Sequence, residues 1–262
     1  MTSTMRFAYL GSGSKGNAAV IQVGQTRLLL DCGFSARETE TRLARLALTG
    51  DQLDGIIVTH EHSDHIQGVG VVARKWNLPV WLTDGTHRVS HSQLGGIPEI
   101  NIINPHETFS IGDIEVEPYP VPHDAREPVQ YVFGDGVRRL GILTDAGCVT
   151  AHMLQVLDNC DSLVVECNHD RNMLTRGDYP PALKARVAGE YGHLDNEAAA
   201  ELVRAIKTDD LQHLVMAHLS EKNNLESLAR LALVEAMGCD SDWVQLASQD
   251  EGLDWCEISQ GV

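Results

Sequence analysis

Short apolar runs broken by glycine clusters dominate the first third of the chain. Residues 6–10, 18–23 and 26–31 read as strands, separated by Ser12-Gly13-Ser14-Lys15-Gly16-Asn17 and by Gly24-Gln25. Ser35-Ala36-Arg37-Glu38 has the spacing of a capping box, opening a helix with Leu43, Ala44, Leu46 and Ala47 on one face. The run Gly55-Ile56-Ile57-Val58 reads as a short buried strand, and a helix is expected between residues 66 and 76. Strands follow at 79–82, 100–103, 114–119, 129–133 and 139–143. The second half alternates more regularly. It predicts a helix from Thr150 to 157, a buried strand at 162–167 and a helix over 180–191 with prolines at its start. A helix capped by Asp195 over 196–206, a strand at 211–217, a helix at 225–237 and closing strands at 243–246 and 253–258 complete the chain.

No Pro/Gly/Ser-rich linker divides these 262 residues, so the expectation is a single domain over 1–262, two sheets with helices outside. The apolar content of 43% is that of an ordinary globular protein. No segment approaches the ~20 apolar residues of a membrane span, and the N-terminus lacks an apolar signal core. A cytoplasmic location without membrane association is therefore expected. Six cysteines with no Cys-x-x-Cys pair read as reduced, mostly core residues. The net charge of −17 argues against a broad basic footprint for nucleic acid, though not against a local one supplied by metals. A homo-oligomer is compatible with the sequence.

The chemistry concentrates in Thr59-His60-Glu61-His62-Ser63-Asp64-His65, just after the strand at 55–58. Extended backbone sends alternate side chains to one side, so His60 and His62 can meet at one point. Asp64 and His65 come where the chain turns into a helix and would face a second, neighbouring point. Imidazole suits zinc and similar ions, and carboxylate suits harder ones, so the stretch reads as ligands for two adjacent metals. Burying three histidines there without a metal would cost desolvation for no return. His123, Asp145 and His218 each follow a predicted strand, where loops collect functional groups over a rigid scaffold.

His-x-His-x-Asp-His followed in this order by His123, Asp145 and His218 resembles the signature of the metallo-β-lactamase superfamily. The resemblance implies an α/β (α+β) fold, the four-layer αβ/βα sandwich, with one or two metals at its strand ends. It assigns His60, His62 and His123 to one metal, and Asp64, His65 and His218 to the other. Asp145 would bridge them, with a hydroxide as second bridge. Asp31 matches a conserved acid that supports the site by orienting a ligand imidazole. Two divalent ions are implied, zinc or manganese, with iron also compatible. His87, His91, His106, His152 and His213 match nothing.

A closer likeness covers nearly the whole chain. Ser12 to Asn17, Asp31-Cys32-Gly33-Phe34, His123-Asp124-Ala125, Glu166-Cys167-Asn168-His169-Asp170, Gly192-His193-Leu194 and Ala217-His218-Leu219-Ser220 together resemble the YycJ (WalJ) branch. That resemblance implies a metal-dependent DNA exonuclease, acting 5′ to 3′ and linked to DNA repair, in which a metal-bridging hydroxide attacks phosphorus. His193 is also similar to a ribonuclease Z histidine whose implied role is proton donor to the leaving oxygen. His169 would touch phosphate or orient a ligand. Lys15 is expected to contact substrate, with Asn17 beside it in the same loop. Arg171, Arg176, Lys184 and Arg186 could form a basic rim. Two other readings stay open. One is a small-molecule hydrolase, either a cyclic phosphodiesterase or a glyoxalase-II-type thioesterase. The thioesterase usually adds a helical C-terminal domain where this chain has strands. The other is a regulatory metal-binding protein without turnover, against which the full ligand set argues.

Overall fold

The computed structural model describes residues 4–206 and 210–260. β1 (Met5–Gly11), β2 (Ala18–Val23) and β3 (Thr26–Leu30) form an antiparallel meander in which Phe7 faces Ile21 and Ile21 faces Leu28. After α1 (Ala36–Arg45) the sheet grows by parallel additions. These are β4 (Gly55–Ile57), β5 (Val80–Thr83) and β6 (Ile100–Ile103), linked through α2 (Ser63–Ile66), α3 (Val69–Trp76) and α4 (Asp84–Leu94). A second sheet repeats the plan. β7 (Phe109–Ile111), β8 (Ile114–Pro120), β9 (Val129–Gly134) and β10 (Arg139–Leu143) are antiparallel. β11 (Ser162–Glu166), β12 (His213–Ala217) and β13 (Val244–Leu246) then add in parallel. α5 (Ala151–Leu157), α6 (Arg171–Arg176), α7 (Pro181–Val187), α8 (Asn196–Ala205) and α9 (Glu226–Met237) make their connections. β14 (Leu253–Ile258) returns to pair with β1 in the first sheet.

Strand alternation sets the layers. Met5, Phe7 and Tyr9 of β1 point between the sheets, with Ile21, Leu28, Tyr131, Phe133 and Val215. Ala8 and Leu10 of the same strand point outward, beneath helices contributing Leu43, Val69, Val72 and Leu94. Val132, Leu163, Val165 and Leu214 likewise face outward, beneath Met153, Leu202, Val203 and Leu233. Sheets covered on both faces require near-continuous apolar strands, which is what the sequence shows. Each fully buried Phe or Leu stabilises this four-layer sandwich by roughly 1.5–3 kcal/mol. Cys32, Cys160, Cys167 and Cys256 are buried, and every cysteine is a free thiol. No described helix is long and apolar enough to cross a membrane.

Several local expectations change. Ser35 caps α1 through the Glu38 amide, but the Glu38 carboxylate turns to Arg42 (2.8 Å) instead of closing the box. Thr39, Leu43 and Leu46 face the core, while Ala44 and Ala47 are exposed. β7, α4 and α6 were not anticipated. The helix expected over 180–191 ends at Val187. There the chain folds back, with Gly192 N–H donating to Gly189 O and His193 N–H to Val187 O. A Cβ on Gly192 would stand 2.2 Å from the carbonyls of Arg186 and Val187, so the reversal requires glycine.

Candidate metal centre

β4 stops at Ile57, and the loop that follows bonds both flanking segments. Val58 N–H donates to Trp81 O and Thr59 N–H to Asp31 Oδ1 (2.8 Å). His60 and His62 thus come together from a loop and not from the strand itself, with ring centroids 4.6 Å apart. Asp64 and His65 sit on the single turn of α2. That turn rests on the β1–β2 loop through Asn17 N–H to Asp64 O (2.7 Å) and on the loop after β3 through Cys32 N–H to His65 O (2.7 Å). A Cβ on Gly33 would lie 1.9 Å from Asp64 O, so glycine is needed for this approach. Asp31 and His218, at the ends of β3 and β12, adopt φ of 56° and 54°. This left-handed region costs least for Asp, Asn and His among residues bearing a side chain, and it swings both side chains into the site.

Three strand-end loops of the second sheet supply His123, Asp145 and His218. Ligand-type atoms of His60, His62 and His123 lie within 4.8 Å of one another, as do those of Asp64, His65 and His218. Asp145 stands between the groups, 3.1 Å from His65 Nε2, 3.1 Å from His218 Nδ1 and 3.8 Å from His123 Nε2.

The hydrogen bonds show which ring nitrogen of each histidine faces inward. His65 Nδ1 donates to Asp31 Oδ2 (2.8 Å). The Thr59 hydroxyl donates to the same oxygen (2.8 Å) and so accepts from His60 Nδ1 (2.9 Å). His123 Nδ1 donates to Gly192 O (2.9 Å), His62 Nε2 to Asp124 O (3.1 Å) and His218 Nδ1 to Thr144 O (2.9 Å). In the neutral rings, the second nitrogen of each is thereby left as a lone pair turned to the centre. His62 Nδ1 and His123 Nε2 face each other at 3.2 Å, with both ring protons already committed elsewhere. His60 Nε2, His218 Nε2 and Asp145 Oδ2 are buried with no hydrogen-bond partner. Lone pairs and a carboxylate converging in this way fit bound cations.

The electrostatics agree. Burial, helped by neighbouring imidazoles, drives His60 well below the usual histidine range. Burial alone would lower His65 and His218 too, but Asp145 and the other carboxylates raise both well above it. Burial pushes Asp145 upward, and the His218 and His65 charges overcome it and hold the carboxyl well below its usual range. The carboxylate charge that favours protons on His65 and His218 would equally favour a cation in their place, and His60, held neutral, keeps its inward nitrogen free.

Two side chains complete the picture. Asn17, 3% exposed, puts Nδ2 at 3.1 Å from both Asp64 Oδ2 and His65 Nε2. Its Oδ1 accepts from Gly13 N–H and the Ser12 hydroxyl, so the Gly/Ser loop is wound around it. The amides of Gly13, Lys15, Gly16 and Asn17 all have protein acceptors, which leaves little of that loop to cradle a phosphate. Glu166 is a residue to which the sequence alone assigns no role. It is fully buried and takes four donors: His193 Nδ1 (2.7 Å) and His218 Nδ1 (3.2 Å) on Oε1, and the amides of Ala146 (3.0 Å) and Leu194 (3.1 Å) on Oε2. Its sequence signal was an acid closing an apolar strand. His193 lies at the edge of a cleft of about 370 Å³ whose floor includes His62, Asp64, Asp145 and His218. Burial lowers its pKa, but Glu166 raises it more, and the net shift is upward. Lys15 stands outside the cleft lining, its side chain 65% exposed and paired with Glu221 (2.6 Å). His169 is buried with Nδ1 unpartnered and outside the ligand groups. Arg186 lines the cleft and Arg171 pairs with Asp195, so the expected basic rim is divided.

The fold and the donor set define a class, the metal-dependent hydrolases of the metallo-β-lactamase fold. A family profile described as the beta-lactamase superfamily domain matches residues 26–219, and the chain belongs to that family. It is 39% identical over 235 residues to exodeoxyribonuclease YycJ of Bacillus anthracis, covering 89% of each chain. It is 34% identical over 252 residues to exodeoxyribonuclease WalJ of Streptococcus pneumoniae, covering 95% of this chain and 90% of that one. Among solved structures, the metallo-beta-lactamase fold protein YhfI of Bacillus subtilis superposes with a TM-score of 0.77. It has 16% identity over 97% of this chain and 99% of that one, a likeness of fold alone.

Proposed function

We propose that this chain is a DNA exonuclease, one domain over residues 1–262, acting 5′ to 3′ in the cytoplasm in DNA repair. Two divalent ions, zinc or manganese, would be held by His60, His62 and His123, by Asp64, His65 and His218, and by Asp145 between them. Bound there, they would lower the pKa of water and neutralise phosphate charge. The rest falls to the protein. Asp31 fixes the His65 ring directly and the His60 ring through Thr59. Asn17 holds Asp64. Lys15 would exchange Glu221 for a backbone phosphate.

The observation that carries the phosphodiester reading is His193. Its Nδ1 is held by buried Glu166, and its ring stands at the edge of the cleft above the donor cluster. A departing alkoxide needs a proton, and an imidazole whose pKa Glu166 raises is suited to give it. The exodeoxyribonuclease names of the two relatives support the choice of DNA. Comparing His193→Ala on two substrates tests the role. On DNA, kcat should fall by ~10²-fold or more with metal content unchanged. On a nitrophenyl phosphodiester, whose leaving group needs little protonation, the loss should be far smaller. Equal losses on both would assign His193 to positioning instead.

A further inference from the structure

The cleft has two unlike walls. Its floor is the charged donor cluster, while the opposite side comes from α7 and the turn before it: Tyr179, Leu183, Arg186 and Val187. α7 is the one α-helix among the described residues that buries no side chain completely. Core packing therefore does not explain its sequence. Leu183 and Val187, one helical turn apart, present half-buried apolar surface to the cleft. Tyr179 is the one lining residue with a benzenoid ring, and its hydroxyl has no protein partner among the described residues. Lys222 Nζ stands 5.8 Å from the ring centroid. Arg186 Nε donates to Asp124 Oδ2 (2.5 Å), and its two terminal nitrogens have no protein partner among the described residues. Asp124 in turn accepts from His62 Nε2 through its carbonyl (3.1 Å), so this guanidinium is anchored to the donor cluster.

An aromatic ring, an apolar helix face and an anchored guanidinium beside a phosphate-hydrolysing centre match the parts of a nucleotide. We infer that this wall is a nucleobase subsite: Tyr179 stacks on the base adjoining the scissile phosphate, with Leu183 and Val187 beside it, and Arg186 takes a neighbouring phosphate oxygen. Stacking reads no hydrogen-bond pattern, so the subsite accepts every base, as degradation from an end requires. Arg186 supplies planar donors suited to phosphate.

This inference rests on the nuclease reading, and its test separates the two. Titration calorimetry on metal-loaded protein compares deoxyadenosine 5′-monophosphate with 2-deoxyribose 5-phosphate, which lacks the base. The wild type should bind the nucleotide more tightly. Tyr179→Ala should weaken nucleotide binding by about 5- to 150-fold and leave deoxyribose phosphate unchanged. Tyr179→Phe should retain the preference, and Arg186→Gln should weaken both ligands alike. Equal binding of the two ligands by the wild type, or equal weakening of both by Tyr179→Ala at unchanged metal content, would overturn the subsite. Because binding is read without turnover, a preference for the base in a protein that degrades no DNA would remove the nuclease reading and keep the subsite.

Discussion

Replacing Glu166 by glutamine keeps the volume and removes one acceptor oxygen. In the native chain four donors converge on this fully buried carboxylate, two on each oxygen. The amide of glutamine has one oxygen, so whichever way it turns, its NH₂ group faces two donors. If it faces the amides of Ala146 and Leu194, two buried backbone groups lose their acceptor. If it faces His193 and His218, His193 loses its acceptor and meets a like donor, while His218 keeps only Thr144 O. A buried donor left unsatisfied costs ~1–3 kcal/mol, so the expected destabilisation is on the order of 2–6 kcal/mol. The upper half of that range applies if the charged pair with His193 is broken as well. Urea unfolding of metal-stripped protein measures this without a contribution from ligand binding. Activity should change in a defined direction too. Burial depresses the His193 pKa, and Glu166 is the chief opposing influence. Removing its charge lowers that pKa, and a histidine that donates a proton stops doing so above its pKa. The alkaline limb of kcat on DNA should therefore move to lower pH in Glu166→Gln. A stability loss below ~0.5 kcal/mol, within the range of an ordinary surface change, would show that the four-donor arrangement is not what holds this region together. An unmoved alkaline limb would show that His193 is not the titrating acid.

Asp31→Asn leaves one acceptor oxygen where there were two, so either His65 and the His60–Thr59 relay or the Thr59 amide loses its acceptor, and metal affinity should drop by ~10–100-fold in a chelator competition while the fold persists. Gly33→Ala places a methyl 1.9 Å from Asp64 O, and backbone must shift. A loss of ~1–3 kcal/mol or more, with weakened metal binding, should appear in thermal melts of the metal-loaded and stripped protein. His123→Ala should lower metal content by elemental analysis, and unchanged content would remove His123 from the ligand set.

Much of this architecture is legible in the sequence because both sheets are covered on both faces. Runs such as those of β2, β9 and β11 have no other stable use. The donor set was legible for another reason: few soluble folds bury this many histidines at strand ends without a return. The unanticipated elements share a physical cause. α4 buries Gly85, Thr86, Ser90 and Leu94, a face of small and polar residues that carries no apolar period. β7 has three residues and α6 six, too short for periodicity to register. The early end of α7 depends on a backbone reversal at Gly192, invisible without the carbonyls it passes. Glu166 escaped because its importance lies in four donors arriving from β10, β12 and the segment before α8. Lys15 drew notice as a cation in a glycine loop, but that loop is spent on Asn17.

The proposed activity is a metal-dependent release of nucleotides from DNA ends. Its most direct measurement incubates metal-reconstituted protein with 5′- and 3′-end-labelled single- and double-stranded DNA, alongside RNA, a cyclic nucleotide and a thioester, and resolves the products over time. Mononucleotides should be released progressively from the 5′ end, and the release should be abolished by chelation and restored by zinc or manganese. Intact DNA together with rapid turnover of the cyclic nucleotide or the thioester would contradict that activity.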